Sequence, residues 1–89
     1  MSIVFLNFLK AVISINKAIE SKVGNNIRML REQRQITQDQ LASRLQIRGC
    51  DITRSTVAKI EVGQRHLYPD EIILIKEILS VEYEDIFRI

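Results

Sequence analysis

Apolar residues in this chain recur at spacings of three and four, and only three glycines and one proline interrupt them over 89 residues. Alternation of apolar and polar residues, the mark of a half-buried strand, is nearly absent. An all-α chain is therefore expected. The length suits one domain with a thin core and leaves no room for a separate catalytic domain.

The periodicity divides the chain into short helices. Over residues 3–22, Phe5, Leu9, Val12, Ile15 and Ile19 form one stripe of a helix, although Ile3 to Leu6 are apolar on every side and leave a strand open there. Residues 25–34 place Ile27, Leu30 and Met29 on one face and several arginines on the other, ending near Gln35. Thr37 with Gln40 three residues later is a capping box. It opens a helix whose buried face is Leu41, Ala42 and Leu45. Residues 46–52 are a connection, with Gly49 at the tight point. Thr53 or Asp51 caps the next helix, Arg54 to Glu61, where Val57 and Ile60 point inward and Gly63 suits the left-handed stop. Pro69, Asp70 and Glu71 open a further helix with Ile72, Ile73, Ile75, Ile78 and Leu79 on its apolar side. A last short helix holds Tyr83, Ile86 and Phe87.

Charge is unevenly spread. Residues 24–66 carry eight cations against four acids, whereas residues 67–89 carry two against six. A basic middle beside an acidic end suits a domain that offers one face to a polyanion, though many solvated faces look similar. The single Cys50 excludes an internal disulfide framework, and with a lone His66 it forms no metal-ligand cluster. Neither a metal nor a cofactor is expected. Polar residues from Asn7 to Glu20 interrupt residues 1–23, so neither a membrane span nor a secretory signal is expected, and the chain reads as cytoplasmic. A nucleophile–base set and a phosphate-cradling glycine loop are both missing, so no enzyme and no small-molecule site are expected.

The segment Arg54–Glu61 is the informative one. Arg54, Ser55, Thr56, Ala58 and Lys59 lie off its Val57/Ile60 stripe, so its open surface holds cations and small hydroxyls. Such a surface is either an ordinary solvated face or one suited to the major groove, where Arg and Lys donate to guanine edges.

At this point the chain resembles a known family. The stretches GNNIRMLREQR, ITQDQLASRL, TRSTVAKIEVGQR and LSVEYEDIF resemble the lambda-repressor-like helix-turn-helix domains, the Cro and phage 434 repressor group. The resemblance runs from Val23 to Phe87. It implies a compact five-helix bundle over residues 23–89, with residues 1–22 as an additional N-terminal helix. It further implies that Arg54, Ser55 and Lys59 read base edges of double-stranded DNA, and that Gln38, Thr56, Gln64 and Arg65 face backbone phosphates. Arg31 and Glu61 match a family pair that joins helix one to the end of helix three. The implied function is a sequence-specific transcriptional regulator, a repressor, acting as a homodimer. An antitoxin or restriction-system controller with the same fold is the first alternative, and a protein-interaction module the second.

The chain also departs from the family. The connection Gln46 to Ile52 is longer than the family's tight turn, which leaves open a tilted reading helix or a DNA contact by Arg48. Gln35 and Ser80 stand where glycine is common, so a positive φ is expected at Gln35. Residues 1–22 are either an extra helix packed on its own bundle or a dimerisation element. Tyr68 and Tyr83 read as core or interface packing, not as stacking platforms for single strands, and His66 as a surface loop residue that permits a phosphate contact.

Overall fold

The computed structural model of the chain describes residues 2–89, except for the side chains of Phe5 and residues 8–16. It is all-helical: α1 (Ile3–Gln33), α2 (Gln38–Ile47), α3 (Arg54–Glu61), α4 (Pro69–Leu79) and α5 (Tyr83–Phe87). Helix α1 packs on α3 and α5, and α2 packs on α3 and α4.

The helices expected over 3–22 and 25–34 are continuous. Nothing between them breaks the 31-residue α1, because a lone Gly24 weakens a helix without ending it. A helix of that length spans roughly 46 Å, against molecular dimensions of 48 × 24 × 18 Å. The N-terminal half of α1 therefore runs beyond the bundle, and Ile3, Val4, Leu6, Asn7, Lys17 and Ala18 are all exposed. No strand forms at Ile3 to Leu6. The expected stripe residues Phe5, Leu9, Val12 and Ile15 lie outside the described side chains.

Every helix after α1 contributes a fully buried residue except α3, whose Val57 and Ile60 are nearly so. Ile27, Leu41, Leu45, Ile52, Ile75, Leu79 and Ile86 form the centre of the core, each such side chain contributing about 1.5–3 kcal/mol on burial. Met29 is half exposed and Ile73 is outside the core. At 100° per residue Met29 lies about 160° from Ile27 and Ile73 about 160° from Ile75, so both are on the far side of their helices from the buried stripe.

Helices α1 to α4 stop in the same way. The amide two or three residues past each end reaches back to a carbonyl of the last turn: Ile36 to Arg31 (3.1 Å), Cys50 to Leu45 (2.9 Å), Gln64 to Lys59 (2.8 Å) and Val81 to Lys76 (3.2 Å). This motif needs a left-handed residue just before that amide. Gln35 (φ 56°), Gly49 (φ 84°), Gly63 (φ 77°) and Ser80 (φ 53°) occupy those four places.

Candidate nucleic-acid interface

Helix α2 starts where Thr37 dictates. The Gln40 amide donates to Thr37 Oγ1 at 3.1 Å, and the Thr37 amide donates to Gln40 Oε1 at 2.8 Å. The connection to α3 is longer than a tight turn, but it is held at both ends. Ile52 is buried in the core, and Gln46 Nε2 donates to its carbonyl at 2.7 Å. Thr53 then caps α3, accepting from the Thr56 amide at 3.3 Å. Arg48 turns away from α3 and pairs with Glu77 on α4 at 2.9 Å, so the structure ties it to the bundle.

Three residues lock α1, α2 and α3 together. Arg31 Nε and Nη2 donate to the two carboxylate oxygens of Glu61 at 2.7 and 3.0 Å, and Nη1 donates to the Ile36 carbonyl at 2.8 Å. Gln38 Nε2 adds a fourth bond, to Glu61 Oε1 at 2.9 Å. The hydrogen bond to Glu61 holds the Arg31 pKa above its ordinary value, against the opposing effect of burial. Glycines let the helices approach this closely. A Cβ on Gly24 would lie 2.2 Å from the Ile60 carbonyl oxygen, and one on Gly63 2.4 Å from Ser21 Oγ.

With its stripe buried, α3 exposes a defined arc. At 100° per residue, Arg54, Ser55, Ala58, Lys59 and Val62 share one side, opposite Val57 and Ile60. Arg54, Ser55, Lys59 and Val62 are exposed and Ala58 is half-buried. Thr56 lies at the margin, half-buried, with its hydroxyl 3.1 Å from that of Thr53. Gln64 is exposed beyond the end of the helix.

The remaining cations divide into engaged and free. Arg28 binds Glu32 (2.8 Å), which raises its own pKa and lowers that of Glu32. Arg34 reaches the Ser80 carbonyl (3.3 Å), and Arg88 pairs with Asp85 (3.4 Å). Arg65 donates to the buried Glu71 carboxylate at 2.6 Å, which raises its pKa, and lies 5.1 Å from the Tyr68 ring. Among the described residues between 24 and 66, Arg44, Arg54 and Lys59 are the cations without an ion pair or hydrogen bond. Two of these three are on the open arc of α3.

A groove of about 630 Å³ runs beside this arc, lined by Gln35, Thr37, Gln38, Asp39 and Arg54 among others. It lies at the N-terminus of α2, whose first-turn amides point along the helix axis and favour an anion, although Asp39 is also there. Gln38 thus stands between two partners. One amide hydrogen is given to Glu61, and the rest of the group borders the groove.

Several expectations need correction or extension. Tyr68 and Tyr83 are not core: they are 55% and 43% exposed, and each lies under a cation, Arg65 and Lys76 respectively. His66 is exposed as expected, but its Nδ1 bonds Glu20 of α1. Val62 and Arg44 were missed. Val62 was legible from the spacing, being four residues after Ala58 and seven after Ser55. Arg44 carries no sequence signal that separates it from its engaged neighbours. Gly24 was also missed, and a glycine inside a helical pattern is the signal for such a close crossing.

Comparison with known proteins gives one match: residues 24–88 fit a family described as a helix-turn-helix domain. No curated protein and no solved structure matches the chain. Because the matched region covers most of its length, the chain belongs to the helix-turn-helix domain family.

Proposed function

We propose, from its membership of the helix-turn-helix family, that the chain is a sequence-specific transcriptional regulator of the lambda-repressor type, in which α3 enters the major groove of double-stranded DNA. It acts in the cytoplasm as a repressor, and as a homodimer on a near-palindromic operator. The single observation that carries the reading is the pair of unpaired cations, Arg54 and Lys59, on the one open arc of α3. A surface that had only to be soluble would be expected to pair them, as the neighbouring Arg28, Arg31, Arg48 and Arg65 are paired.

The roles follow from position. Arg54, Ser55 and Lys59 contact base edges, where Arg and Lys match guanine, and half-buried Ala58 lets the helix approach. Gln38, Thr56, Gln64 and Arg65 contact phosphates and set register. Homodimerisation follows from symmetry: one short helix spans few base pairs, and two on a two-fold axis match half-sites one turn of DNA apart. Selection of bound sites from a random duplex library tests the reading. An enriched inverted repeat is the expected result. An enriched single half-site would remove the dimer, and no enrichment would replace DNA reading by a protein-interaction role.

A further inference from the structure

We infer that Val62 is a specificity-determining residue of the reading surface, packing against the C5-methyl group of a thymine next to the base read by Lys59. The inference deepens the DNA reading above and rests on it.

Val62 is the C-cap residue of α3, and the helical turns before it fix where it stands. Counted from Arg54, Ala58 falls at about 40°, Val62 at 80°, Ser55 at 100° and Lys59 at 140° around the helix axis. Val62 is thus in the middle of the open arc, between the two unpaired cations. It is 57% exposed, whereas the other β-branched residues of the segment, Val57 and Ile60, are 2% and 4% exposed. The three have the same apolar character, and only Val62 has no place in the core. Single exposed apolar residues are ordinary on a protein surface. Val62 differs from these in its position, since every fully exposed neighbour on the arc carries a donor.

The mounting of Val62 is firm. The Gln64 amide donates to the Lys59 carbonyl at 2.8 Å, which closes the end of the helix around it. Gly63, the next residue, lies against α1 so tightly that a Cβ there would come within 2.4 Å of Ser21 Oγ. A β-branched side chain on a fixed backbone has few rotamers to lose, so an apolar contact made by it costs little ordering.

The chemistry of the groove selects the partner. Each base pair offers donors and acceptors in the major groove, and the only apolar group there is the thymine C5-methyl. Valine can neither donate nor accept. Placed over guanine O6 or N7, or over the amino group of cytosine or adenine, it would strip water from that group and give nothing back. Against the methyl it buries apolar surface on both sides. A phosphate contact is ruled out for the same reason, because a phosphate oxygen needs a donor. Ala58, one turn earlier and half-buried, leaves room for the helix to sit deep enough for Val62 to reach.

Replacement of single thymines by deoxyuridine in a selected duplex tests the inference, because it removes the methyl group alone. Affinity is read by fluorescence anisotropy at fixed salt. At one thymine of each half-site, uracil should weaken wild-type binding about fourfold, the effect of one buried methyl-sized group. Val62→Ala should bind the thymine and uracil duplexes equally at that position and discriminate less there against the other bases. Val62→Ile should keep the preference for thymine. An unchanged thermal melt of each variant checks the fold. Wild-type binding indifferent to uracil at every position, a Val62→Ala chain that keeps the full thymine preference, or one that weakens on all sequences alike would each overturn the inference. Any of these leaves DNA reading by Arg54 and Lys59 standing. A wild-type chain that enriches no duplex would remove both readings and assign Val62 to a protein contact.

Discussion

The guanidinium of Arg31 grips both carboxylate oxygens of Glu61, at 2.7 and 3.0 Å, with the Glu61 side chain 1% exposed. Arg31 lies in the last turn of α1 and Glu61 ends α3, so this pair sets where the α3 arc lies relative to the N-terminus of α2. Removing one partner of a buried pair leaves the other charged and unsolvated, which costs about 3–5 kcal/mol. Glu61→Gln should therefore lower Tm by more than roughly 10 °C in a domain of this size. The double variant Arg31→Met with Glu61→Leu should recover much of that loss. Thermal melts of the three chains check this, and a Glu61→Gln variant that melted with the wild type would contradict a structural role.

The arc of α3 divides specificity from general affinity. Arg54→Ala should reduce discrimination at one base position by about 1–3 kcal/mol, and Lys59→Ala should do the same at another. Gln64→Ala should weaken all sequences alike and leave the salt slope unchanged, because a neutral amide displaces no counterion from a phosphate. Binding of these variants to a selected site and its single-base changes, at two salt concentrations, separates the roles. Equal losses on every sequence for all three would refute the division.

Arg65 is expected to behave differently from Gln64. Its guanidinium lies 2.6 Å from the buried carboxylate of Glu71. Arg65→Ala should weaken DNA binding on every sequence and also lower Tm, because Glu71 loses a buried partner. A drop in affinity with no change in Tm would assign Arg65 to phosphate contact alone.

The four left-handed helix ends make a matched series. Gln35 and Ser80 hold φ values of 56° and 53° with a Cβ, a conformation that costs about 1–2 kcal/mol. Gln35→Gly and Ser80→Gly should each stabilise by roughly 0.5–1 kcal/mol after the entropy that glycine adds to the unfolded chain. Gly49→Ala and Gly63→Ala should both destabilise, and Gly63→Ala more. Nothing lies within 4 Å of a Cβ at Gly49, whereas Ser21 blocks one at Gly63. Urea unfolding of the four variants reads the order, and equal costs at the two glycines would refute the close contact with α1.

Burial pushes the Cys50 thiol above its ordinary pKa, with the Glu71 and Asp70 carboxylates adding to the shift. The folded state therefore keeps this proton to higher pH than the unfolded state. Its contribution is present below the unfolded thiol pKa of about 8.5 and is lost as pH rises through that value towards the folded one. Cys50→Ala should lose less stability than the wild type between neutral and alkaline pH. Alkylation at mildly alkaline pH should be slower in the folded chain than in urea, and equal rates would contradict the shift.

The order of the helices, the Thr37 capping box, the buried stripe of α3 and the left-handed stop at Gly63 were all legible in the residues themselves. Each is a local matter: an apolar period of three or four, a cap within three residues, a glycine two residues past a helix end. What the tertiary structure decided was which polar groups remained free. Arg48, Arg54 and Arg65 are the same residue type in one basic segment, yet Arg48 faces Glu77, Arg65 faces Glu71 and Arg54 faces none. Those partners are separated by up to 29 residues, and only the packing of α4 against α2 and the connecting loop brings them together. The continuity of α1 was hidden for a related reason. Gly24 reads locally as a weak point in a helix, and the closeness of the Ile60 carbonyl, which explains a glycine there, exists only once α3 has been folded against it.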